Sequence, residues 1–167
     1  SSWRGRTPGR KFWNQRSNGC DPLRIAVLIK QVPDTDDVRM DETTGTMVRE
    51  GIGAIINPLD LNALQAAVDL RSINGGEVTA ISMGPPQAEA ALREAIALGA
   101  DNILFISDKR VAASDTWATA RTLVAAITRS GPYDLILAGE KATDGETGQV
   151  GPEVAAMMDL PFSPYVS

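Results

Sequence analysis

Short apolar runs alternate with amphipathic segments from Leu23 to Met158, and this alternation restricts the possible folds more than any other feature of the chain. The run Ile25 to Ile29 is too short for a helix and suits a strand buried in a parallel sheet. The segments between such runs have the apolar spacing of helices. Strands alternating with helices predict right-handed crossovers and a mainly parallel sheet covered on both faces. The predicted fold is therefore α/β, a Rossmann-like three-layer sandwich.

Individual elements follow from the same patterns. Asn57 is a candidate N-cap with Pro58 at the first helical position, and Asn74-Gly75-Gly76 ends that first helix. A third helix is expected from about Asp115 to Thr128 with its apolar face inward. The residues predicted on that face are Trp117, Leu123, Val124 and Ile127. Strands are predicted at Ile25 to Ile29, Glu77 to Ser82, Asn102 to Ile106 and Asp134 to Ala138, and the last of these is an apolar run that we expect to be buried. Further helices are predicted after Gly84-Pro85-Pro86, through Leu92 and Ile96 to Gly99, and from Val150.

A small insertion is predicted between the first strand and the first helix. Val38 to Met40 and Thr46 to Val48 flank the polar stretch Asp41 to Gly45, which indicates an exposed β-hairpin. Insertions at the carboxyl end of a strand often cover a ligand.

In such folds ligands bind at the carboxyl ends of the strands, where the strand order reverses. Four predicted loops meet at that edge, and we expect the functional site among them. They are Lys30 to Asp37, Met83 to Pro86, Ser107 to Ser114 and Gly139 to Gln149.

The segment from Gly139 to Pro161 joins the last predicted strand to the last predicted helix. Gly145, Gly148 and Gly151 recur at every third position, so the backbone can adopt positive φ and approach a ligand closely. Unpaired amides and the dipole at the start of the following helix favour an anion. This order of strand, glycine-rich loop and helix predicts phosphate binding. The open alternative is a solvent-exposed loop whose glycines only turn and cap the chain.

Side chains of this loop narrow the choice of ligand. Lys141 can add a cation and Thr147 a hydroxyl group. Asp144 and Glu146 repel a phosphate unless they point elsewhere or accept hydrogen bonds from ribose hydroxyls. The loop matches neither G-x-x-x-x-G-K-[ST] nor G-x-G-x-x-G. The pattern therefore favours a nucleotide with few phosphates over a triphosphate.

Composition excludes several classes of chemistry. The chain has no histidine, and its single cysteine is Cys20, so neither an intrachain disulfide nor a His/Cys metal site can form. Ser-His-Asp and Cys-His catalytic arrangements are excluded for the same reason. The chain therefore has few means of covalent or metal-assisted chemistry, and we predict neither a catalytic site nor a metal site in it.

Charge is unevenly distributed along the chain. Residues 1–22 carry five cations and one acid, net +4, which leaves −9 on the remainder because the total is −5. An acidic body is a poor match for nucleic acid. Residues 1–22 lack apolar periodicity and are predicted to be a flexible extension, with a transit peptide as the alternative. No apolar run approaches the roughly 20 residues that span a bilayer, so membrane insertion is not predicted.

Four segments together resemble the beta subunit of electron transfer flavoprotein, and Asp144 to Pro152 is the most specific stretch. The resemblance begins at Leu23 and keeps the same order to about the end of the chain. It implies a nucleotide-binding domain over 23–167, of the adenine nucleotide alpha hydrolase-like layout, although family members continue well past this length. The four segments are Gly139 to Pro161, Asn57 to Asp60, Ser82 to Pro85 and Ala97 to Asp101.

The resemblance also implies which residues bind an adenine nucleotide. Many ordinary beta subunits hold AMP, which takes no electrons. The form Asp-Gly-Glu-Thr followed by Gln-Val-Gly-Pro looks more like the electron-bifurcating branch, where a second FAD occupies the site, so FAD is favoured here and AMP is the alternative. The implied binding residues are Leu28, Asn57, Pro58, Leu59, Asp60, Met83, Lys141, Ala142, Thr143, Asp144, Gly145, Glu146, Thr147, Gly148, Gln149 and Val150.

As a family member, the protein would be an electron carrier and not an enzyme. The implied partners are an alpha subunit that carries the main FAD, acyl-CoA or other flavin dehydrogenases, and a quinone reductase or ferredoxin as acceptor. The implied compartment is the cytoplasm, or the mitochondrial matrix in a eukaryote. Two other hypotheses about function stay open: an ATP-binding sensor of the universal stress type and a purely structural interaction domain.

Overall fold

The computed structural model describes residues 22–34, 39–40, 47–48, 53–108 and 114–166. The strands are β1 Leu23–Leu28, β2 Gln31–Pro33, β3 Arg39–Met40, β4 Met47–Val48, β5 Ala54–Ile56, β6 Gly76–Met83, β7 Asn102–Ile106 and β8 Leu135–Ala138. The helices are α1 Pro58–Asn74, α2 Glu89–Ala97, α3 Thr116–Ser130 and α4 Val150–Met157, with a short 3-10 helix at Pro86–Ala88. None of the helices in these ranges is long and apolar enough to cross a membrane.

The central sheet has four parallel strands in the order β7-β6-β1-β8. Within this sheet, β1 is the first strand along the chain, and β6 and β7 follow on one side of it. The chain then crosses back, and β8 pairs with the other side of β1. The strand order therefore reverses between β1 and β8, which is where α/β sheets bind ligands. The α/β fold with a mainly parallel sheet is confirmed.

Helices cover both faces of this sheet, as the continuous apolar run of β1 predicts. Successive side chains of a strand point to opposite faces. Ile25 and Val27 therefore join a core beneath α1 and α2, and Ala26 and Leu28 join a second core beneath α3 and α4. These two cores make the three-layer sandwich.

Two short strands went unrecognised in the loop after β1. Gln31–Pro33 pairs antiparallel with Ala54–Ile56 and frames the insertion. Three-residue strands are too short for a clear periodic pattern, so this pairing cannot be predicted from residue spacing. The predicted hairpin is present as β3 and β4, where Arg39 pairs with Val48 and Met40 with Met47. Its predicted turn over 41–45 lies outside the described residues, as do residues 1–21 of the predicted extension.

Two expectations about burial were wrong. Trp117 was placed on the inward face of α3, but 55% of it is exposed, because Ala120, Leu123 and Ile127 form the buried row of this helix. The strand at Leu135–Ala138 was expected to be buried, yet its residues are only half-buried or exposed. The reason is its place at the edge of the sheet, where only β1 pairs with it.

Candidate functional site

A cleft of about 780 Å³ opens at the carboxyl ends of the parallel strands. Its floor is apolar and comes from the ends of β1, β6 and β8 and from α3. The residues of this floor are Leu28, Ile81, Met83, Leu123 and Ala138. A volume of this size with an apolar floor is typical of a small-molecule or cofactor site.

Three helices begin at this cleft. The first residues of each helix contribute to the cleft walls. They are Asn57 and Asp60 at the start of α1, Thr116 of α3, and Gln149 and Val150 at the start of α4. Each helix directs the positive end of its dipole toward the cleft. The arrangement favours a ligand that carries negative charge.

The glycine-rich loop, residues 139–149, forms one wall of the cleft and contains two left-handed positions. Glu146 has φ 50° and Gly148 has φ 61°. A left-handed conformation is natural for glycine but costs free energy for glutamate. In the described part of the chain, no protein group accepts a hydrogen bond from the backbone amide of Thr147 or from that of Gly148. These amides can donate to an anion at the start of α4.

Asn57 lies at the N-cap position of α1, as predicted, but its side chain makes no capping hydrogen bond. Instead it crosses to the glycine-rich loop. Its Nδ2 donates to the carbonyl oxygen of Lys141 at 2.9 Å, and its Oδ1 accepts from the amide of Thr143 at 3.3 Å. The side chain thus joins the start of α1 to the loop, and only 1% of the residue is exposed.

Asp60 connects the ends of two strands. Its Oδ2 accepts from the amide of Lys30 at 2.8 Å, just after β1, and its Oδ1 accepts from the amide of Gly139 at 3.1 Å, just after β8. Burial raises the pKa of Asp60 to about 6, while these two amides, Asn57 and the charge of Lys30 act to lower it. This carboxylate therefore spans the point where the strand order reverses.

Gly139 allows α1 to approach the loop closely. A Cβ atom at Gly139 would overlap the Asp60 carboxylate and lie 2.8 Å from the amide nitrogen of Asp60. Only a glycine fits at this position without a shift of α1.

The two lysines of the cleft are each paired with an acid of the loop. Lys30 Nζ lies 2.6 Å from Asp144 Oδ1, and Lys141 Nζ lies 3.5 Å from Glu146 Oε1. The two acids therefore point to the lysines, and this pairing offsets the repulsion that their charges would exert on a phosphate in the cleft. Within the described ranges, the pairing leaves little uncompensated positive charge for a ligand with many phosphates.

Thr116 joins α3 to α4 at the cleft wall. It is not among the site residues predicted from the sequence. Its Oγ1 lies 3.2 Å from Gln149 Oε1 and 3.1 Å from Glu153 Oε1. The available signal was Asp115, which caps α3 by accepting from the amide of Ala118 at 2.7 Å. An N-cap after the third strand of such a sheet marks a helix start at the ligand edge.

Most of the sequence-predicted residues lie in the walls of the cleft. Five others lie beside it: Pro58 and Leu59 in the first turn of α1, Thr143 against Asn57, and Asp144 and Glu146 in ion pairs with the lysines. Those that line the cleft are Leu28, Asn57, Asp60, Met83, Lys141, Ala142, Gly145, Thr147, Gly148, Gln149 and Val150.

Comparison with known proteins bears directly on this site. A family model described as "Electron transfer flavoprotein domain" matches residues 44–167, which include α1 and the glycine-rich loop. The chain belongs to the electron transfer flavoprotein family. The resemblance noted from the sequence is thereby confirmed.

Individual members of the family are similar over most of this chain. An electron transfer flavoprotein subunit beta of Thermoanaerobacterium thermosaccharolyticum is 52% identical over 144 residues, 86% of this chain and 55% of the relative. The caffeyl-CoA reductase-Etf complex subunit CarD of Acetobacterium woodii is 49% identical over 145 residues, 86% of this chain and 55% of that subunit. Protein FixA of Azotobacter vinelandii is 46% identical over 148 residues, with coverages of 87% and 53%. The chain spans about half the length of the curated relatives that it matches.

Proposed function

We propose that this chain is the nucleotide-binding part of an electron transfer flavoprotein beta subunit and that it holds an adenine nucleotide in the cleft. The observation that carries the proposal is the glycine-rich loop above an apolar floor, with three helix starts around it. The floor suits a flat aromatic ring, and the helix starts suit a phosphate. The domain that binds the nucleotide is residues 23–167.

The sixteen residues named from the resemblance are proposed as the site, in two roles. The residues of the cleft walls contact the nucleotide, with Leu28 and Met83 against its rings and Thr147 to Val150 near its phosphates. The five residues beside the cleft, Pro58, Leu59, Thr143, Asp144 and Glu146, maintain its shape. The division follows from which residues line the cleft and which lie beside it; Asn57, Asp60 and Lys141 line the cleft and are also bonded to other protein groups.

FAD is the proposed nucleotide, with AMP as the alternative. A cleft volume of about 780 Å³ lies toward the upper end of the range of small-molecule sites, about 300–1,000 Å³, and so favours a dinucleotide over a mononucleotide. The resemblance of Asp144 to Thr147 and of Gln149 to Pro152 to the electron-bifurcating branch also favours FAD, and similarity to subunit CarD of a caffeyl-CoA reductase-Etf complex supports a role as a subunit of an Etf complex. Among the residues that the structure describes, the charged ones that line the cleft are Lys30, Lys141, Asp60, Asp108 and Glu140, a balance that disfavours the triphosphate of a universal-stress-type sensor.

The protein is proposed to be an electron carrier, in which the flavin supplies the redox chemistry and the chain supplies binding and orientation. No side chain of the cleft is proposed as a catalytic acid, base or nucleophile. An alpha subunit is the proposed partner, and acyl-CoA or other flavin dehydrogenases and a quinone reductase or ferredoxin are the proposed exchange partners. Since the relatives are bacterial, the cytoplasm is the proposed compartment.

The test is to purify the full-length protein with its alpha subunit, record its absorption spectrum, and identify the nucleotides released by acid. Two FAD per dimer are expected. One FAD and one AMP would keep the beta-subunit assignment and overturn the choice of FAD for this cleft. ATP, or no adenine nucleotide, would overturn the proposed function.

A further inference from the structure

Two buried side chains at the start of α1 use their polar atoms on the protein backbone. Asn57 donates to Lys141 and accepts from Thr143, and Asp60 accepts from Lys30 and Gly139. Only 1% of Asn57 and 6% of Asp60 are exposed. The family resemblance presents both as ligand contacts, and in this structure each polar side-chain atom of the two residues also makes a hydrogen bond to the backbone.

The segment that Asn57 holds is one that needs external support. The loop includes Glu146 in a left-handed conformation, which is strained for a residue with a side chain. Outside the Asn57 contacts, the loop has one backbone hydrogen bond within itself in the described region, from the amide of Glu146 to the carbonyl oxygen of Ala142 at 2.8 Å. A loop with so few bonds of its own would sample other conformations if the Asn57 contacts were lost.

Asp60 fixes the base of the same loop. By accepting from Lys30 and Gly139 at once, it sets the distance between the strand ends on either side of the reversal point. The loop leaves the sheet at Gly139, so the direction of the whole segment depends on this bridge.

We infer that Asn57 and Asp60 are positioning residues that hold the glycine-rich loop in its phosphate-binding conformation and so set affinity for the phosphate of the nucleotide more than for its base. This inference rests on the proposed function, since it assumes that the cleft binds an adenine nucleotide. It assigns the two side chains a role that acts through the backbone amides of the loop.

The experiment compares AMP with adenosine, which differ only in the phosphate. Binding of each to nucleotide-free protein is measured by calorimetry for the wild type, Asn57→Ala and Asp60→Asn. Loss of one buried hydrogen bond corresponds to roughly a tenfold change in affinity, so AMP binding is expected to weaken about 10-fold or more in both variants. Adenosine binding is expected to change by less than about twofold, since the apolar floor is intact.

Asp69→Asn is the matched control, because Asp69 lies on an exposed part of α1 and bonds to Gln65 there. Thermal unfolding of each variant shows whether it is folded at the assay temperature. Asp60→Asn keeps the size of the side chain, so it serves as the second variant if Asn57→Ala does not fold.

Amide hydrogen exchange at Thr143 in the wild type is an additional measurement. Protection is expected, because this amide donates to Asn57 Oδ1.

The outcomes separate the inference from the proposed function. Equal weakening of AMP and adenosine, or no weakening of AMP, would overturn the positioning role while leaving the cleft as a nucleotide site. Rapid exchange at Thr143 in the wild type would also overturn it. Failure of the wild-type protein to bind AMP, adenosine and FAD, each measured by the same calorimetry, would overturn the proposed function itself.

Discussion

Two aspartates at opposite ends of the central sheet accept hydrogen bonds from backbone amides but differ in their electrostatics. At the amino end, Asp101 accepts from the amide of Val78 at 2.8 Å and from Arg71 Nη1 at 2.7 Å. At the carboxyl end, Asp60 accepts from two amides and has no arginine partner among the residues that the structure describes. Burial acts to raise the pKa of both, but Arg71 and Val78 outweigh it at Asp101, whose pKa is lowered, whereas the pKa of Asp60 is raised to about 6.

Under the proposed function, the amino end contributes stability and the carboxyl end holds a ligand. Asp101 is exposed and paired with the positive charge of Arg71, so it adds to stability at neutral pH. Asp60 is buried in the cleft wall, and this burial raises its pKa. The carboxyl end therefore carries an energetic cost that the amino end lacks, as is common at functional sites.

The largest effect is expected from Gly139→Val at the carboxyl end. The new side chain would overlap the Asp60 carboxylate and crowd the backbone of α1. Overpacking of this kind should lower the free energy of unfolding by about 3 kcal/mol, measured by urea denaturation. Gly53→Ala is the control, since its Cβ would meet only Asp34 Cβ at 3.7 Å, and a change within about 0.5 kcal/mol is expected. Equal stability of the two variants would show that α1 can move away from the loop.

The pH dependence of stability should have opposite sign at the two ends. Because the folded-state pKa of Asp60 is raised from 3.8 to about 6, its contribution is fully present below pH 3.8 and is lost as pH rises through about 6. Relative to Asp60→Asn, the wild type should lose about 3 kcal/mol of unfolding free energy between these pH values. Relative to Asp101→Asn, the wild type should instead gain stability as pH rises, because the pKa of Asp101 is lowered. Denaturation at a series of pH values measures both, and slopes of the same sign would contradict the comparison.

Gly148→Val is expected to remove the nucleotide while the fold survives. Valine is disfavoured at φ 61°, but its Cβ would meet nothing closer than the carbonyl oxygen of Glu140 at 3.4 Å. The amides at the start of α4 should therefore turn away from the phosphate, lowering affinity by about 100-fold or more, roughly 2.7 kcal/mol. Acid release of nucleotide from the purified variant measures the loss. Unchanged retention would mean that the phosphate binds elsewhere.

A smaller effect is expected from Asp101→Ala, confined to stability. The variant leaves the amide of Val78 and the Arg71 guanidinium without their carboxylate and should lower the free energy of unfolding by about 1–2 kcal/mol. Affinity for AMP should stay within about twofold of the wild type, because the cleft is at the other end of the sheet. A larger change in affinity would show that the two ends are coupled.

The smallest effect is expected from Asp144→Asn, which breaks the exposed ion pair with Lys30. Both side chains contact solvent, so stability should change by less than about 0.5 kcal/mol. Release of Lys30 toward the cleft should tighten AMP binding by about twofold at low salt, and added salt should remove the gain. Titrations with AMP at two salt concentrations test this expectation. A large loss of stability in Asp144→Asn would show that Asp144, like Asp60, has a structural role.

Much of the candidate site was predictable because it depends on local sequence. The glycines of the loop, the carboxyl-edge loops and the helix start at Pro58 all follow from spacing and residue type. The roles of Asn57 and Asp60 were not predictable, since their partners Lys141 and Gly139 lie 84 and 79 positions away. A capping residue and a bridging residue look the same in a sequence, and only the packing of α1 against the loop distinguishes them.

The sequence by itself determined the alternation of strands and helices, the chemistry that the chain lacks, and the family. These depend on residue composition and on spacings within a single segment. The tertiary structure alone decided the order of the strands, the exposure of Trp117 and the opposite electrostatics of Asp60 and Asp101. The pKa of a carboxylate and the burial of a side chain depend on which distant groups surround it, and those groups come together only when the sheet and its helices are assembled.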